Sequence, residues 1–224
     1  MRPWELLDKT SVEGEAHDMS LYRRGDEYSI KTGYSELMNS RMHGSEDALA
    51  VLGCKTLKNK PKTRVLIGGL GMGFTLAEAL KHVGDDAEVV VAELVSAVIQ
   101  WNQTHLSALA GHPLKDKRVR IYEGDVGKVI RAEKGSFDAI LLDVDNGPEG
   151  LTRKENDALY SPAGLKAALA GLKKGGIFGV WSTFPDTRFT KRMQQAGFKV
   201  EEVRARAHGK RGSKHMIWLG EGAH

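Results

Sequence analysis

The pattern of hydrophobic and polar residues changes near residue 62. Before that point, short alternating runs such as 20–23 and 28–30 are broken by glycines, which is typical of hairpin strands. After it, short apolar runs alternate with segments of helical period. The predicted strands cover about 63–67, 87–92, 118–122, 137–142, 176–181, 198–204 and 214–219, and the predicted helices cover about 74–83, 95–105, 125–132, 161–173 and 186–196.

This alternation predicts an α/β fold, with a doubly wound, mainly parallel seven-stranded sheet covered by helices on both faces. The last two strands lack a helix between them, so we expect them to pair antiparallel at one edge. Residues 1–44 are predicted to form a small N-terminal β-hairpin element with too few apolar residues for its own core. The main domain is then 45–224, and it begins with a helix over 45–57 with Ser45 as its N-cap.

A glycine-rich turn follows the first predicted strand of the main domain. Apolar residues fill 65–67, then Gly69, Gly71 and Gly73 precede a helical pattern that starts near residue 74. Glycines allow a tight turn and a close approach of backbone amides and a helix N-terminus to a ligand. The turn is therefore predicted to bind a nucleotide or nucleoside.

Acidic residues end the next predicted strands, at the edge of the sheet where ligands bind in such folds. Glu93 lies about twenty residues beyond the glycine turn, where a carboxylate accepts hydrogen bonds from ribose hydroxyls. Asp125 follows the third strand, and it either contacts the base amine or caps the next helix. Both residues are candidates for cofactor binding.

Two further acids, Asp143 and Asp145, follow the predicted strand 137–142. Alternation places them on the same side of the chain, where they can hold an ammonium group and accept the proton that an attacking amine loses. These two are the candidate catalytic residues. The alternative is a turn in which Asp145, Asn146 and Gly147 bond their own backbone, and both interpretations can hold together.

These motifs and their order resemble the spermidine synthase-like family, the polyamine aminopropyltransferase branch of the class I S-adenosylmethionine-dependent methyltransferase fold. The similarity rests on the glycine turn, the acid at Glu93, the segments 124–125 and 137–143, and the downstream segments 147–148, 159–160 and 172–176. The resemblance implies that Glu93 binds ribose and Asp125 contacts adenine. It implies that Asp143 lies at the reaction centre and deprotonates an amine, and that the protein is a homodimer.

One departure from the family decides which donor we expect. The family has an aspartate in the glycine turn that holds the aminopropyl ammonium of decarboxylated S-adenosylmethionine, and Gly71 stands in its place. Without that acid, the turn has room for the carboxylate of intact S-adenosylmethionine. The main expectation is therefore methyl transfer to a small amine, with aminopropyl transfer that makes a polyamine, or a catalytically silent nucleoside-binding protein, as alternatives.

Three other residues are candidates for binding the amine acceptor. Asn146 stands in the acidic segment after the fourth strand, and Tyr160 lies just before the helix at 161–173. Trp181 ends the fifth strand and can form a wall of the acceptor pocket. For Tyr160 and Trp181, structural packing is the alternative interpretation.

Composition restricts the class of protein further. The chain is 41% hydrophobic and 28% charged, with a net charge of +4. It has no apolar run of the roughly 18 residues that a membrane span needs and no signal-peptide pattern, so we expect a soluble cytoplasmic protein. Basic residues lack interleaved aromatics, which does not favour nucleic acid. Cys54 is the single cysteine and no histidine pair has metal-ligand spacing, so no metal is expected.

Overall fold

The computed structural model describes residues 2–12, 16–144, 148, 158–208 and 211–222. Near the N-terminus, four short strands form an antiparallel sheet in the order β1-β2-β3-β4. They are β1 (Glu5–Thr10), β2 (Met19–Arg24), β3 (Glu27–Thr32) and β4 (Ser35–Asn39). Tight turns with Gly25 and Gly33 at positive φ join β2 to β3 and β3 to β4, as the glycine-broken alternation predicts.

A seven-stranded sheet makes up the centre of the remaining chain. Its strands are β5 (Arg64–Gly68), β6 (Glu88–Glu93), β7 (Val119–Glu123), β8 (Phe137–Leu142), β9 (Leu172–Ser182), β10 (Phe198–His208) and β11 (Arg211–Gly222). The order across the sheet is β10-β11-β9-β8-β5-β6-β7. Strands β5 to β9 pair in parallel, whereas β11 is antiparallel to both β9 and β10. The expected α/β sheet with an antiparallel edge is confirmed.

Six α-helices are described around this sheet. They are α1 (Gly44–Cys54), α2 (Phe74–Lys81), α3 (Ser96–Gln103), α4 (Val126–Ala132), α5 (Pro162–Gly171) and α6 (Thr187–Ala196). Helix α5 starts with Ser161 as its N-cap, whose hydroxyl accepts a hydrogen bond from the Gly164 amide at 3.1 Å. Between α3 and β7, a short 3₁₀ turn spans Pro113–Lys115.

The start of α1 corrects the sequence analysis. Ser45 is not the N-cap: the helix begins at Gly44 after His43, and no side chain caps it. A Cβ on Gly44 would lie 2.9 Å from the Arg206 carbonyl oxygen of β10, so only glycine fits this close contact. The Ser45 side chain is instead fully buried. The helix also ends at Cys54, three residues earlier than predicted.

The apolar core lies on both faces of the seven-stranded sheet. One cluster contains α1, α2, α3 and one face of β5, and it also includes Leu21 and Ile30 from the N-terminal sheet. The indole N–H of Trp101 on α3 donates a hydrogen bond to Asp8 of β1 at 2.7 Å. The N-terminal sheet therefore packs on the main fold and shares its core, as expected from its few apolar residues. The boundary at residue 44 stays a prediction.

Two smaller observations concern Cys54 and the helices. Cys54 is buried in the first apolar cluster, and burial raises the pKa of its thiol to about 12. A thiol held protonated in this way is a poor nucleophile, so this residue acts as a small apolar side chain. Among the helices described, none is both long enough and apolar enough to cross a membrane.

Candidate functional site

A cavity opens at the carboxyl ends of β5, β6, β7 and β8, where the strand order reverses. In doubly wound sheets this reversal leaves a crevice between neighbouring loops. The N-terminal sheet covers one side of it. The described residues that line the cavity are Met19, Ile30, Leu37, Met38, Glu46, Gly69, Gly71, Ala92, Glu93, Leu94, Val95, Val98, Gly124, Asp125, Val126, Asp143, Val144 and Trp181.

The glycine turn forms the floor of this cavity. Gly69 has φ +89°, and a Cβ there would lie 2.2 Å from the Asp143 carbonyl oxygen, so no other residue fits. Gly71 has φ +51°, and a Cβ there would lie 2.9 Å from the sulfur of Met38. Gly73 lies at the N-cap of α2, outside the set of lining residues. The turn thus brings bare backbone close to both the β8 loop and the N-terminal sheet.

Glu93 ends β6 and is held in a fixed orientation at the cavity. The Leu70 amide donates to one carboxylate oxygen at 2.9 Å, and the Val95 amide donates to the other at 2.8 Å. The residue is 9% exposed. The two amide hydrogen bonds therefore fix the carboxylate at the wall of the cavity, where a ligand hydroxyl can reach it.

Asp125 caps helix α4 and also lines the cavity. The Gly127 amide donates to its side chain at 2.7 Å, and Arg131 donates to its other oxygen at 3.3 Å. The capping interpretation is therefore confirmed. Because the same residue lies on the cavity wall, capping holds the carboxylate in place beside any ligand that enters.

Asp143 lies directly after β8 and lines the cavity. The Thr75 hydroxyl on α2 donates to its carboxylate at 2.5 Å. Burial raises the pKa of Asp143 to about 6, and the Thr75 hydrogen bond opposes that rise. Its backbone amide bonds to the Gly68 carbonyl oxygen at 2.8 Å, which anchors the loop to β5. The predicted catalytic acid is thus a partly buried carboxylate that lines the cavity.

The sequence analysis did not assign Glu46 to the site. This residue is on the first turn of α1, is 7% exposed and lines the same cavity as Asp143. Burial, and then the negative charge of Asp143, raise the pKa of Glu46 to about 8. At neutral pH one of the two carboxyl groups therefore holds a proton. An acid in the first turn of a helix is an ordinary surface pattern, so only the tertiary contact with Asp143 reveals the pair.

Trp181 lies on the cavity wall, as predicted, whereas Tyr160 does not. Tyr160 is buried in the second apolar cluster, where its ring meets Phe189 edge-on at 5.6 Å, and it is not among the lining residues. Packing, the alternative interpretation, describes this position. Asp145 and Asn146 lie outside the described residues, so their roles stay predictions.

The N-terminal sheet contributes lining residues that the sequence pattern could not indicate. Leu37 and Met38 from β4, with Ile30 from β3, form an apolar wall opposite the glycine turn. Their sequence is that of a short hairpin strand, and their partner across the cavity is more than thirty residues away. A sequence-based search would find them only through the excess of apolar residues on one face of β3 and β4.

The sheet order and the acid-lined crevice define a class I S-adenosylmethionine-dependent methyltransferase-like fold. Residues 42–199 match the family model of the spermine/spermidine synthase domain, and the chain belongs to this family. A polyamine aminopropyltransferase 2 of Caldanaerobacter subterraneus subsp. tengcongensis is 30% identical over 163 residues, which cover 67% of this chain and 53% of that protein. This is a family of transferase enzymes. The similarity fits the aminopropyltransferase alternative better than the methyl transfer placed first by the sequence.

Solved structures agree with this assignment at the level of the fold. A spermidine synthase in complex with the transition-state analogue AdoDATO superimposes with a TM-score of 0.74 over 98% of this chain and 73% of that chain, at 19% identity. The spermidine synthase from Thermotoga maritima gives a TM-score of 0.76, with 98% and 74% coverage and 19% identity. The chain spans between 29% and 53% of the length of the first curated relatives it matches.

Proposed function

We propose that this protein is an aminopropyltransferase that uses decarboxylated S-adenosylmethionine as donor and a small amine as acceptor. The observation that carries the proposal is the pair of acids in the cavity, the buried Glu46 and the partly buried Asp143. Burial makes a second negative charge unfavourable there, so an ammonium group that enters the cavity is attracted strongly. A site of this kind suits a cationic amine better than a neutral or anionic acceptor.

The donor nucleoside is held by groups that are already fixed in the free protein. Glu93, oriented by the Leu70 and Val95 amides, accepts hydrogen bonds from the ribose hydroxyls. Asp125, oriented by the Gly127 amide, accepts from the adenine amine. The bare backbone at Gly69 allows the sulfonium end of the donor to approach the acids. Preorganised groups of this kind bind without the cost of being ordered by the ligand.

Asp143 is the base in the proposed reaction. The acceptor arrives as an ammonium ion and gives a proton to Asp143, which frees the nitrogen lone pair for attack. The nitrogen then bonds to the aminopropyl carbon beside the sulfonium, and the carbon–sulfur bond breaks with its electron pair on sulfur. The products are a longer polyamine and methylthioadenosine. Apolar residues of β3 and β4 keep water away from the reacting atoms.

A second candidate is methyl transfer from intact S-adenosylmethionine, and Gly71 favours it. No carboxylate stands at this position to bind the donor ammonium. The side chain of Met38 fills the space beside it, however, so the room that the sequence suggested for the donor carboxylate exists only if Met38 moves. Methyl transfer would place the same nitrogen attack on the methyl carbon of the sulfonium. Glu93, Asp125 and Asp143 would keep their roles. A protein that binds the nucleoside and catalyses nothing is the third possibility that the test separates.

Isothermal titration calorimetry distinguishes these candidates. Decarboxylated S-adenosylmethionine, the intact donor and methylthioadenosine are titrated separately, and products with a panel of diamines are then analysed by mass spectrometry. We expect the decarboxylated donor to bind at least about tenfold more tightly than the intact donor, which is about 1.4 kcal/mol, and the product to gain an aminopropyl group. A methylated product would establish the second candidate. Binding without product would indicate a silent protein, and no binding would refute all three.

A matched pair of variants locates the donor site in the same experiment. Glu93→Gln should weaken donor binding about tenfold or more, because it removes a charged acceptor from the ribose hydroxyls. Glu201→Gln changes an exposed glutamate of β10 and serves as the control. Equal affinities for the two variants would contradict the assignment of Glu93.

Assembly and location remain expectations of the same proposal. The resemblance implies a homodimer, and the N-terminal sheet and the segment after it expose Leu6, Tyr34 and Met42. Sedimentation velocity at micromolar concentration measures the oligomeric state directly. A cytoplasmic location also stays a prediction.

A further inference from the structure

A chain of hydrogen bonds connects the acidic pair with a histidine near the surface. The Ser45 hydroxyl donates to Glu46 Oε2 at 2.5 Å, and the same Ser45 oxygen lies 2.8 Å from Nδ1 of His215. Ser45 and Glu46 are in the first turn of α1, whereas His215 is on β11, 170 residues away. The ring of Trp181 meets the His215 ring edge-on at 4.9 Å. Helix α1 and strand β11 therefore bring Glu46, Ser45 and His215 together as a series of hydrogen-bonded groups, each of which can carry a proton.

The inner two groups of this chain are buried, and the outer one is not. Ser45 has no exposed surface and Glu46 is 7% exposed, whereas His215 is half-buried and lies near the solvent. Glu46 lines the cavity that also contains Asp143. A proton released in the cavity therefore meets a hydrogen-bonded route outward through groups that can each both accept and donate.

We propose that Glu46, Ser45 and His215 form a proton relay that carries the proton released by the acceptor amine from the cavity to solvent. The inference rests on the proposed function for its place in turnover. It adds Ser45 and His215 as relay residues. The sequence had indicated neither of them as part of the site. Transfer of an alkyl group from a sulfonium to an ammonium releases one proton per turnover, so the site needs an exit for it.

The hydrogen bonds between Glu46, Ser45 and His215 have two arrangements, one before and one after proton transfer, and these give the proton balance. Before turnover the acid pair holds one proton, on Glu46, and Asp143 takes a second proton from the ammonium. One proton must therefore leave, and Glu46 releases its own while the pair shares the other. The Glu46 O–H donates to Ser45, and the Ser45 O–H donates to the Nδ1 lone pair of His215. The proton shifts along both bonds, and the imidazolium then releases its Nε2 proton to water. This leaves Glu46 as a carboxylate that accepts from Ser45, while His215 Nδ1 donates to Ser45. Exchange of ring protons with water resets the histidine for the next turnover.

The charges around the relay agree with outward transfer. While Asp143 is charged, burial and that charge raise the pKa of Glu46. Once Asp143 takes the ammonium proton, the charge is gone and the pKa of Glu46 falls, which favours release of its proton. Burial lowers the pKa of His215, so an imidazolium formed there loses its proton quickly. Asp47, the next acid on α1, is paired with His43 at 2.8 Å. The Thr75 hydroxyl on α2 donates to Asp143.

Kinetics with Ser45 variants test the relay in turnover. Ser45→Ala removes the hydroxyl and should lower kcat about tenfold or more, within the range that proton-transfer groups contribute, while the donor dissociation constant stays within about twofold. Ser45→Thr retains a hydroxyl and should keep most of the activity. In His215→Ala, added imidazole should restore turnover, and in Ser45→Ala it should not. A Ser45→Ala variant with wild-type kcat, or no imidazole rescue of His215→Ala, would overturn the relay.

A titration without substrate keeps the relay testable if these variants lose stability or if the protein is inactive. The ¹³C shifts of the His215 ring are followed against pH by NMR, with His215→Gln to assign them. We expect a second step that reports the ionisation of Glu46 and disappears in both Glu46→Gln and Ser45→Ala. A curve that is unchanged in Ser45→Ala would refute the hydrogen-bonded connection. An inactive wild type would instead refute the proposed function alone.

Discussion

The buried acid Glu46 leads to a prediction about the stability of the free protein. Burial and the nearby Asp143 raise the pKa of Glu46 from 4.5 to about 8, so the folded state binds a proton there that the unfolded state has already lost. Because the folded state binds more protons, the free energy of unfolding falls as pH rises. The loss starts near pH 4.5, where the unfolded glutamate ionises, and is complete above about pH 8. Glu46→Gln should remove this dependence, since glutamine has the same shape and carries no charge.

The magnitude follows from the size of the pKa shift. A rise from 4.5 to about 8 corresponds to roughly 5 kcal/mol at about 1.4 kcal/mol per pH unit. Part of this is repulsion from Asp143, which is relieved when Asp143 itself takes the proton. We therefore expect Glu46→Gln to be about 2 to 4 kcal/mol more stable than the wild type at pH 8 and nearly equal to it at pH 5.

Urea unfolding measured from pH 5 to pH 8.5 tests this expectation. The difference between wild type and variant isolates Glu46, because every other titratable group is the same in both proteins. Glu201→Gln, an exposed change on β10, gives the background. If the wild type and Glu46→Gln lose stability in parallel over this interval, Glu46 does not hold a proton in the folded protein and the argument for a shared acid pair is wrong.

Three further predictions concern Asp143, the glycine turn and a buried ion pair. Asp143→Asn should lower kcat about 100-fold or more and leave the donor dissociation constant within about threefold, because the base is lost while the donor contacts remain; unchanged kcat, measured by product formation, would refute its role. Gly71→Asp combined with Met38→Ala should shift the ratio of affinities at least about tenfold toward the decarboxylated donor, and an unchanged ratio in calorimetry would contradict the anchor argument. Asp138→Asn should reduce the free energy of unfolding by about 3 kcal/mol, because the carboxylate of Asp138 is buried 2.7 Å from the Lys173 amine. If urea unfolding shows a loss below about 1 kcal/mol, the ion pair is not important for stability.

Sequence patterns predicted the seven-stranded sheet well because each element there has a strong local signal. The strand 137–142 was predicted at the bounds that β8 has, since a short run that is apolar except for Asp138 marks a strand buried on both faces. The start of α1 was harder. Ser45 has the residue type and position of an N-cap, yet Gly44 packs against the β10 backbone and starts the helix one residue earlier. That contact involves a strand more than 150 residues away, so no local signal reports it.

The residues of the candidate site also fall into those that the sequence predicts and those that it does not. Glu93, Asp125 and Asp143 follow strands, and strand ends can be read from the sequence, so their presence at one edge of the sheet was predictable. Glu46 is on a helix and His215 is in the middle of a long edge strand. Their chemistry depends on which residues face them and how far they are from water. Neither of these properties is reflected in the spacing of apolar residues along the sequence.

The sequence by itself determined the alternation of strands and helices, the glycine turn, and the acids that follow β6, β7 and β8. These depend on neighbours within a few residues, where the period of apolar positions and the freedom of glycine decide the backbone. Only the tertiary structure decided that Glu46 shares the cavity with Asp143, that Met38 fills the space beside Gly71, and that Ser45 connects Glu46 with His215. Such pairs form because folding buries distant segments together, and burial is what changes the charge and the reactivity of their side chains.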